Sequence, residues 1–152
     1  MVSVRDAQTS DLDGVTALAD RFYREEGFGT DLVRLRANML ELIASPTAHV
    51  QLASGPDSPA VGFAVTTTTL GLEHRVLAEL QDLYVLPTHR RTGLAEALIT
   101  SAAEWARAYG CEVIDVVVDA EGDARHQLTR FYRHRGFLDE RRHLLTRPLV
   151  LR

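Results

Sequence analysis

The 152-residue chain contains no lysine; all seventeen of its basic residues are arginine. A phosphate loop of the G-x-x-x-x-G-K-[ST] kind needs that lysine and is excluded, and the G-x-G-x-x-G fingerprint of dinucleotide sites is missing as well. One cysteine, Cys111, excludes an internal disulfide and a thiolate metal cage. It stands before an apolar run, as a small buried hydrophobe would, and no positioned base marks it as a nucleophile. No apolar run approaches the roughly 20 residues of a membrane span. The opening M-V-S-V-R-D-A-Q lacks the apolar stretch of a signal peptide, so the expected compartment is the cytoplasm. His49, His74, His126, His134 and His143 show no spacing with Cys, Asp or Glu that reads as a metal site, and no metal is expected.

What is present suits an ordinary globular protein, with 45% hydrophobic and 25% charged residues. The length suits one domain, 1–152, able to bury roughly 70% of the surface its unfolded chain exposes. A formal net charge of −4 argues against holding nucleic acid through its phosphates. Arginines crowd the C-terminal part, from Arg125 to Arg152. Acidic residues gather earlier, as in Asp20, Glu25, Glu26 and Asp31.

Periodicity and turn residues lay out the elements. Val2 to Arg5 reads as a strand. Ser10 with Asp13 approximates a capping box, and Leu12, Val15, Leu18, Ala19 and Phe22 follow at helical spacing up to Glu25. A second helix begins near Asp31 and stops at Ser45-Pro46. Ala48–Ala53, Ala60–Thr69 and Val76–Val85 have strand character, and their short connectors suit an antiparallel meander. A helix follows from about Gly93 to Tyr109 and ends at Gly110. Val113–Val118 is an apolar strand, and the crossover helix before it implies a parallel pair. A last helix opens at Asp123 or Ala124 and runs to Gly136, and a final strand spans Arg142–Leu151. This order predicts a mixed α/β fold with helices on both faces of the sheet.

The stretch Leu80–Ile99 carries the chemistry. A strand stops at Pro87, passes through a basic turn with Gly93 and reopens as an Ala- and Leu-rich helix. Backbone N–H groups and the positive end of the helix dipole then converge on one spot, with Arg90 and Arg91 adding charge. A phosphate-bearing ligand is expected there. Arg90-x-x-Gly93-x-Ala95 after a strand, with Tyr132-x-x-x-Gly136-Phe137 some forty residues on, resembles the GNAT superfamily of acetyl-CoA-dependent N-acetyltransferases. Arg125 and Leu128 stand where such proteins often have Asn and Ala, and Gln81 stands where polyamine acetyltransferases tend to carry an acid.

That resemblance implies a GNAT-like fold, a mostly antiparallel mixed sheet with one parallel, splayed strand pair. It implies acetyl-CoA as co-substrate, with Arg90, Arg91, Thr92, Gly93, Leu94 and Ala95 cradling the pyrophosphate. The backbone of Leu83 and Val85 would meet the acetyl oxygen and the pantetheine amide, donors of a kind worth roughly 10²- to 10³-fold in rate elsewhere. Tyr132 is the candidate acid for the departing thiolate and would also touch the cofactor; a phenol titrating near about 10 is protonated at neutral pH. Glu79 is the candidate base, directly or through water. Asp82 projects to the opposite face unless a bulge intervenes, and is a second candidate for the base or a group that binds a cationic substrate. His89 lies in the same loop, where a solvated role is ordinary.

The acceptor is expected between the first two helices and the sheet, near Glu25 and Glu26, where carboxylates would attract a cationic amine such as an aminoglycoside or polyamine. Acetylation of a protein amine is the rival within the class. A non-catalytic acyl-CoA-binding module is the rival outside it. No membrane partner is expected, and the arginine-rich final strand suggests a homodimer through sheet addition.

Overall fold

Leu12, Val15, Leu18 and Ala19 recur at helical spacing in α1 (Leu12–Glu26), and all four are buried. They meet Leu35 and Met39 of α2 (Leu32–Ala44) and one face of a five-stranded sheet. The computed structural model describes residues 3–150. The chain divides into two compact units at Val116/Val117.

The first unit holds β1 (Ser3–Asp6), α1, α2, β2 (Ala48–Gly55), β3 (Ser58–Gly71), β4 (Arg75–Val85), α3 (Leu94–Tyr109) and β5 (Ile114–Val116). Strands follow one another in chain order, β1 to β4 antiparallel and β5 parallel to β4. This is the expected mixed sheet with one parallel pair. Val50, Leu52, Phe63, Val65 and Tyr84 pack on the α1 and α2 side. The opposite face belongs to α3: Gln51 hydrogen-bonds Ser101, and His49 stacks on Trp105 at 4.8 Å. Phe63 is fully buried in the middle strand, a burial of the kind that stabilises by about 1.5–3 kcal/mol.

Local capping differs from the expectation of Ser10 with Asp13. A short 3₁₀ turn, Thr9–Asp11, precedes α1, and Gln8 with Asp11 forms the box, the Gln8 N–H donating to Asp11 Oδ2 at 2.8 Å. Asp11 is held in that place by Arg5, at 2.7 Å. The α2 start is as expected, with Asp31 accepting from the Arg34 N–H at 2.8 Å.

Three expectations need correction. β5 covers three residues and not Val113–Val118, because its pairing with β4 ends at Leu80↔Val116. In the second unit the last helix is two pieces, α4 (Ala120–His126) and α5 (Leu128–Arg133), broken at Gln127, whose φ of 52° is left-handed. No strand forms in 142–150 among the described residues; Leu144, Leu145, Leu149 and Val150 are exposed and have no ladder, and Leu151 lies outside the described residues. Strand composition without an edge to pair with does not make a strand. A dimer through that strand therefore has no strand in the described residues to start from.

Candidate functional site

The β3–β4 ladder slips by one residue, from Val65↔Asp82 to Thr66↔Leu80, so Gln81 is a bulge. Without it Asp82 would face α3. With it, Glu79, opposite Thr67, and Asp82, opposite Val65, share the α1 and α2 face with Tyr84. The condition attached to Asp82 in the sequence is thus met.

The bulge also marks where β4 loses its parallel neighbour. β5 pairs with Ala78, Glu79 and Leu80 and no further. The Leu86 N–H donates to Val61 O at 2.8 Å, which fixes the alternation of the antiparallel ladder. Phe63↔Tyr84 and Val65↔Asp82 then exchange bonds, and Leu83 and Val85 turn their backbone groups the other way, to the side that β5 has left. The Val85 carbonyl is taken there by Arg90 Nε–H at 2.9 Å.

Beyond β4 a 3₁₀ turn, Pro87–His89, leads into the loop. Arg91 is left-handed at φ 61° and Gly93 at φ 85°. A side chain at Gly93 would meet no protein atom within 4 Å, so its backbone angle, and not crowding, calls for glycine. Thr92 Oγ1–H donates to His89 O at 2.5 Å. α3 then begins without a side-chain cap, and the N–H groups of Leu94 and Ala95 lie in its uncapped first turn. Those donors and the dipole behind them can receive an anion, and Arg91 is exposed beside them.

Over the α1 side lie the aromatic and acidic groups. The Tyr23 O–H donates to Asp82 Oδ1 at 3.3 Å, and the Tyr84 O–H to Glu25 Oε1 at 2.6 Å. Burial raises Asp82, helped by the Glu79 charge, while the bond from Tyr23 acts in the other direction. Burial, with Asp82 beside it, pushes Tyr23 up to about 12, and burial with the Glu25 bond does the same to Tyr84. Phe22 stacks on Tyr84 at 5.1 Å. Glu25 also meets Arg90 Nη2 at 3.2 Å, and Glu26 is half-buried on the last turn of α1.

The first unit therefore brings Glu79, Asp82 and Glu25 to one face of β4, with the loop of Arg90 to Ala95 at its end. Tyr132 belongs to the second unit, buried on α5 with the rings of Phe131 and Phe137 edge-on at 5.0 and 5.2 Å. Sequence reasoning missed Tyr23 and Tyr84. Tyr84, two residues after Asp82, had to share its face, and that spacing was the available signal. Among the described residues no three His, Cys, Asp or Glu side chains gather as metal ligands, and no helix is long and apolar enough to cross a membrane.

The family model described as acetyltransferase (GNAT) family matches residues 16–137. Over 80 residues the chain is 36% identical to an aminoglycoside N(6')-acetyltransferase type 1 of Serratia marcescens, covering 50% of this chain and 55% of that protein. An aminoalkylphosphonate N-acetyltransferase of Salmonella typhimurium is 28% identical over 135 residues, 88% of this chain and 83% of that one. The chain spans about half the length of the aminoglycoside acetyltransferases it matches. Among solved structures, an aminoglycoside N-acetyltransferase in complex with CoA has a TM-score of 0.84 at 20% identity, covering 99% of this chain and 96% of that one. At that identity the likeness is one of fold.

Proposed function

The chain belongs to the GNAT family of acetyltransferases, and from that premise we propose that it moves an acetyl group from acetyl-CoA to a primary amine of a cationic small molecule. The bulge at Gln81 carries the proposal. It turns two carboxylates toward one face, and just beyond it, where β5 has ended, the N–H groups of Leu83 and Val85 face away from β3 at the entrance to an uncapped helix.

In this reading the pyrophosphate takes the N–H groups of Gly93, Leu94 and Ala95, with the Arg91 charge beside them and Thr92 holding the turn. The Leu83 N–H receives the acetyl oxygen and the Val85 N–H the pantetheine amide. The acceptor arrives as an ammonium, drawn by Asp82 and Glu79, with Glu26 at the rim of the acidic end of α1. Glu79, directly or through water, takes its proton. The amine nitrogen attacks the thioester carbon, the carbonyl electrons move to oxygen, and the oxyanion leans on the backbone donor. When the C–S bond breaks, the sulfur keeps the electron pair and receives a proton, for which Tyr132 is the proposed acid. The products are the amide and free CoA, with one proton released to solvent.

The relatives named for aminoglycosides support an amine on a small polycation as acceptor. Mixing the protein with acetyl-CoA and a panel of amines, and following thiol release, tests this. Amine-dependent release on aminoglycosides or polyamines is expected. Turnover on peptides alone would move the acceptor to protein amines, and binding of acetyl-CoA with no amine-dependent release would leave a non-catalytic acyl-CoA module. Tyr132→Phe is expected to lower turnover by about 10²- to 10⁴-fold with acetyl-CoA affinity kept; near-wild-type turnover would reduce Tyr132 to packing.

A further inference from the structure

Arg90 opens the R-x-x-G-x-A motif, where charge for a phosphate is expected, yet its guanidinium is taken up by protein groups. Nε–H donates to the Val85 carbonyl at 2.9 Å, and Nη2 meets Glu25 Oε2 at 3.2 Å. The guanidinium lies 5.7 Å from the centroid of the Tyr84 ring, and the Tyr84 O–H donates to the other Glu25 oxygen at 2.6 Å. The contacts close a ring. It ties the last turn of α1, the end of β4 and the start of the loop to one another.

We propose that Arg90 is a positioning residue and not a phosphate ligand, and that Glu25 belongs to its latch and not to the acceptor site. This inference rests on the reading of the loop as the acetyl-CoA site. The physical reason lies one residue further on. Arg91 holds a left-handed backbone at φ 61°, a conformation that costs a non-glycine residue of order 1 kcal/mol or more and persists only when its surroundings hold it. Arg90, anchored through three groups, fixes the chain on one side of Arg91, and the Thr92 hydroxyl on the His89 carbonyl fixes it on the other. The backbone donors of the loop are thereby set before a ligand arrives, which lowers the ordering cost of binding. A planar five-donor fork suits that bridging task, and lysine would not replace it.

The same contacts leave Glu25 with a donor on each carboxylate oxygen and its charge met by Arg90, so an acceptor ammonium would compete with both for it. Asp82, beside the bulge on the same face, accepts from the Tyr23 hydroxyl at 3.3 Å, has no arginine against it among the described residues, and keeps the acceptor role.

Titration of acetyl-CoA into wild type, Glu25→Gln, Arg90→Lys and the double variant decides the matter, because the two roles of Arg90 give opposite signs. A latch predicts that Glu25→Gln weakens acetyl-CoA binding about three- to tenfold, that Arg90→Lys does about the same, and that the double variant is no weaker than Arg90→Lys alone. In turnover, Glu25→Gln should raise KM for acetyl-CoA and leave KM for the amine unchanged. If Arg90 were a phosphate ligand restrained by Glu25, Glu25→Gln would release it and tighten binding, and that result, or unchanged binding, overturns the latch. A rise in amine KM overturns the reassignment of Glu25. Tyr84→Phe, which removes only the hydroxyl, should shift binding in the same direction and serves if Glu25→Gln does not fold. Absence of acetyl-CoA binding by the wild type would instead bring down the reading of the loop itself.

Discussion

A partly buried carboxylate beside a second carboxylate pays a desolvation cost that a neutral amide of the same shape does not. Asp82 is such a group: burial raises it, and the Glu79 charge adds to that. Asp82→Asn keeps an acceptor for the Tyr23 hydroxyl and removes the charge. The sign follows from the raised folded-state value. Below the unfolded value of about 4 both states are protonated and the substitution is neutral. As pH rises through the folded value the buried charge increasingly destabilises the native protein, so Asp82→Asn should melt higher than wild type at pH about 7 and with it at pH about 3.5. Equal melting at both pH values would show that the Asp82 charge is not strained. Its functional cost should be a rise of about tenfold, ~1.4 kcal/mol, in acceptor KM if Asp82 meets the ammonium. Glu79→Gln should abolish the acid limb of the pH–rate profile, and an unchanged limb would place the base elsewhere.

At the scale of elements, α3 depends on how it begins. Gly93 enters it at φ 85° with open space around its α-carbon, so Gly93→Ala introduces backbone strain without a clash. A loss of about 1 kcal/mol, seen as a melting temperature lower by about 2–4 °C, is expected. No change in melting would mean that the loop relaxes. Helix boundaries of this kind were legible: Gly93 and Asp31 at the starts, Gly110 and Ser45-Pro46 at the ends, are local signals, and the structure bounds α2 and α3 at them. The meander of β2 to β4 was legible for the same reason. Non-local features were not. Whether Asp82 faces α1 or α3 depends on its pairing with Val65, and Glu25 lies 65 residues from Arg90 in the chain. Ala124, Leu128, Phe131 and Tyr132 stand at helical spacing across Gln127, so nothing in the pattern announced the break in the last helix. Arg142 onward has strand composition, but composition does not supply an edge.

Over the whole molecule, charge is arranged more tellingly than its sum of −4. Asp11, bonded by Arg5 and the Gln8 N–H, is lowered from 3.8 to about 2, chiefly by the Arg5 hydrogen bonds. A depressed carboxylate stabilises above its unfolded value and loses that contribution as pH falls through its folded one. Asp11→Asn should therefore lower the melting temperature at pH about 7 and converge with wild type near pH about 2. A gap that persists unchanged in acid would assign the effect to capping alone.

Main-chain donors at the turn into α3 are proposed to hold acetyl-CoA, and calorimetric titration of acetyl-CoA into wild type and Gly93→Val, at two temperatures, tests that most directly. One molecule of acetyl-CoA per chain is expected for wild type, with affinity weakened at least about tenfold in the valine variant while its circular dichroism stays native. Equal affinity for the two proteins, or no association with either, would contradict it.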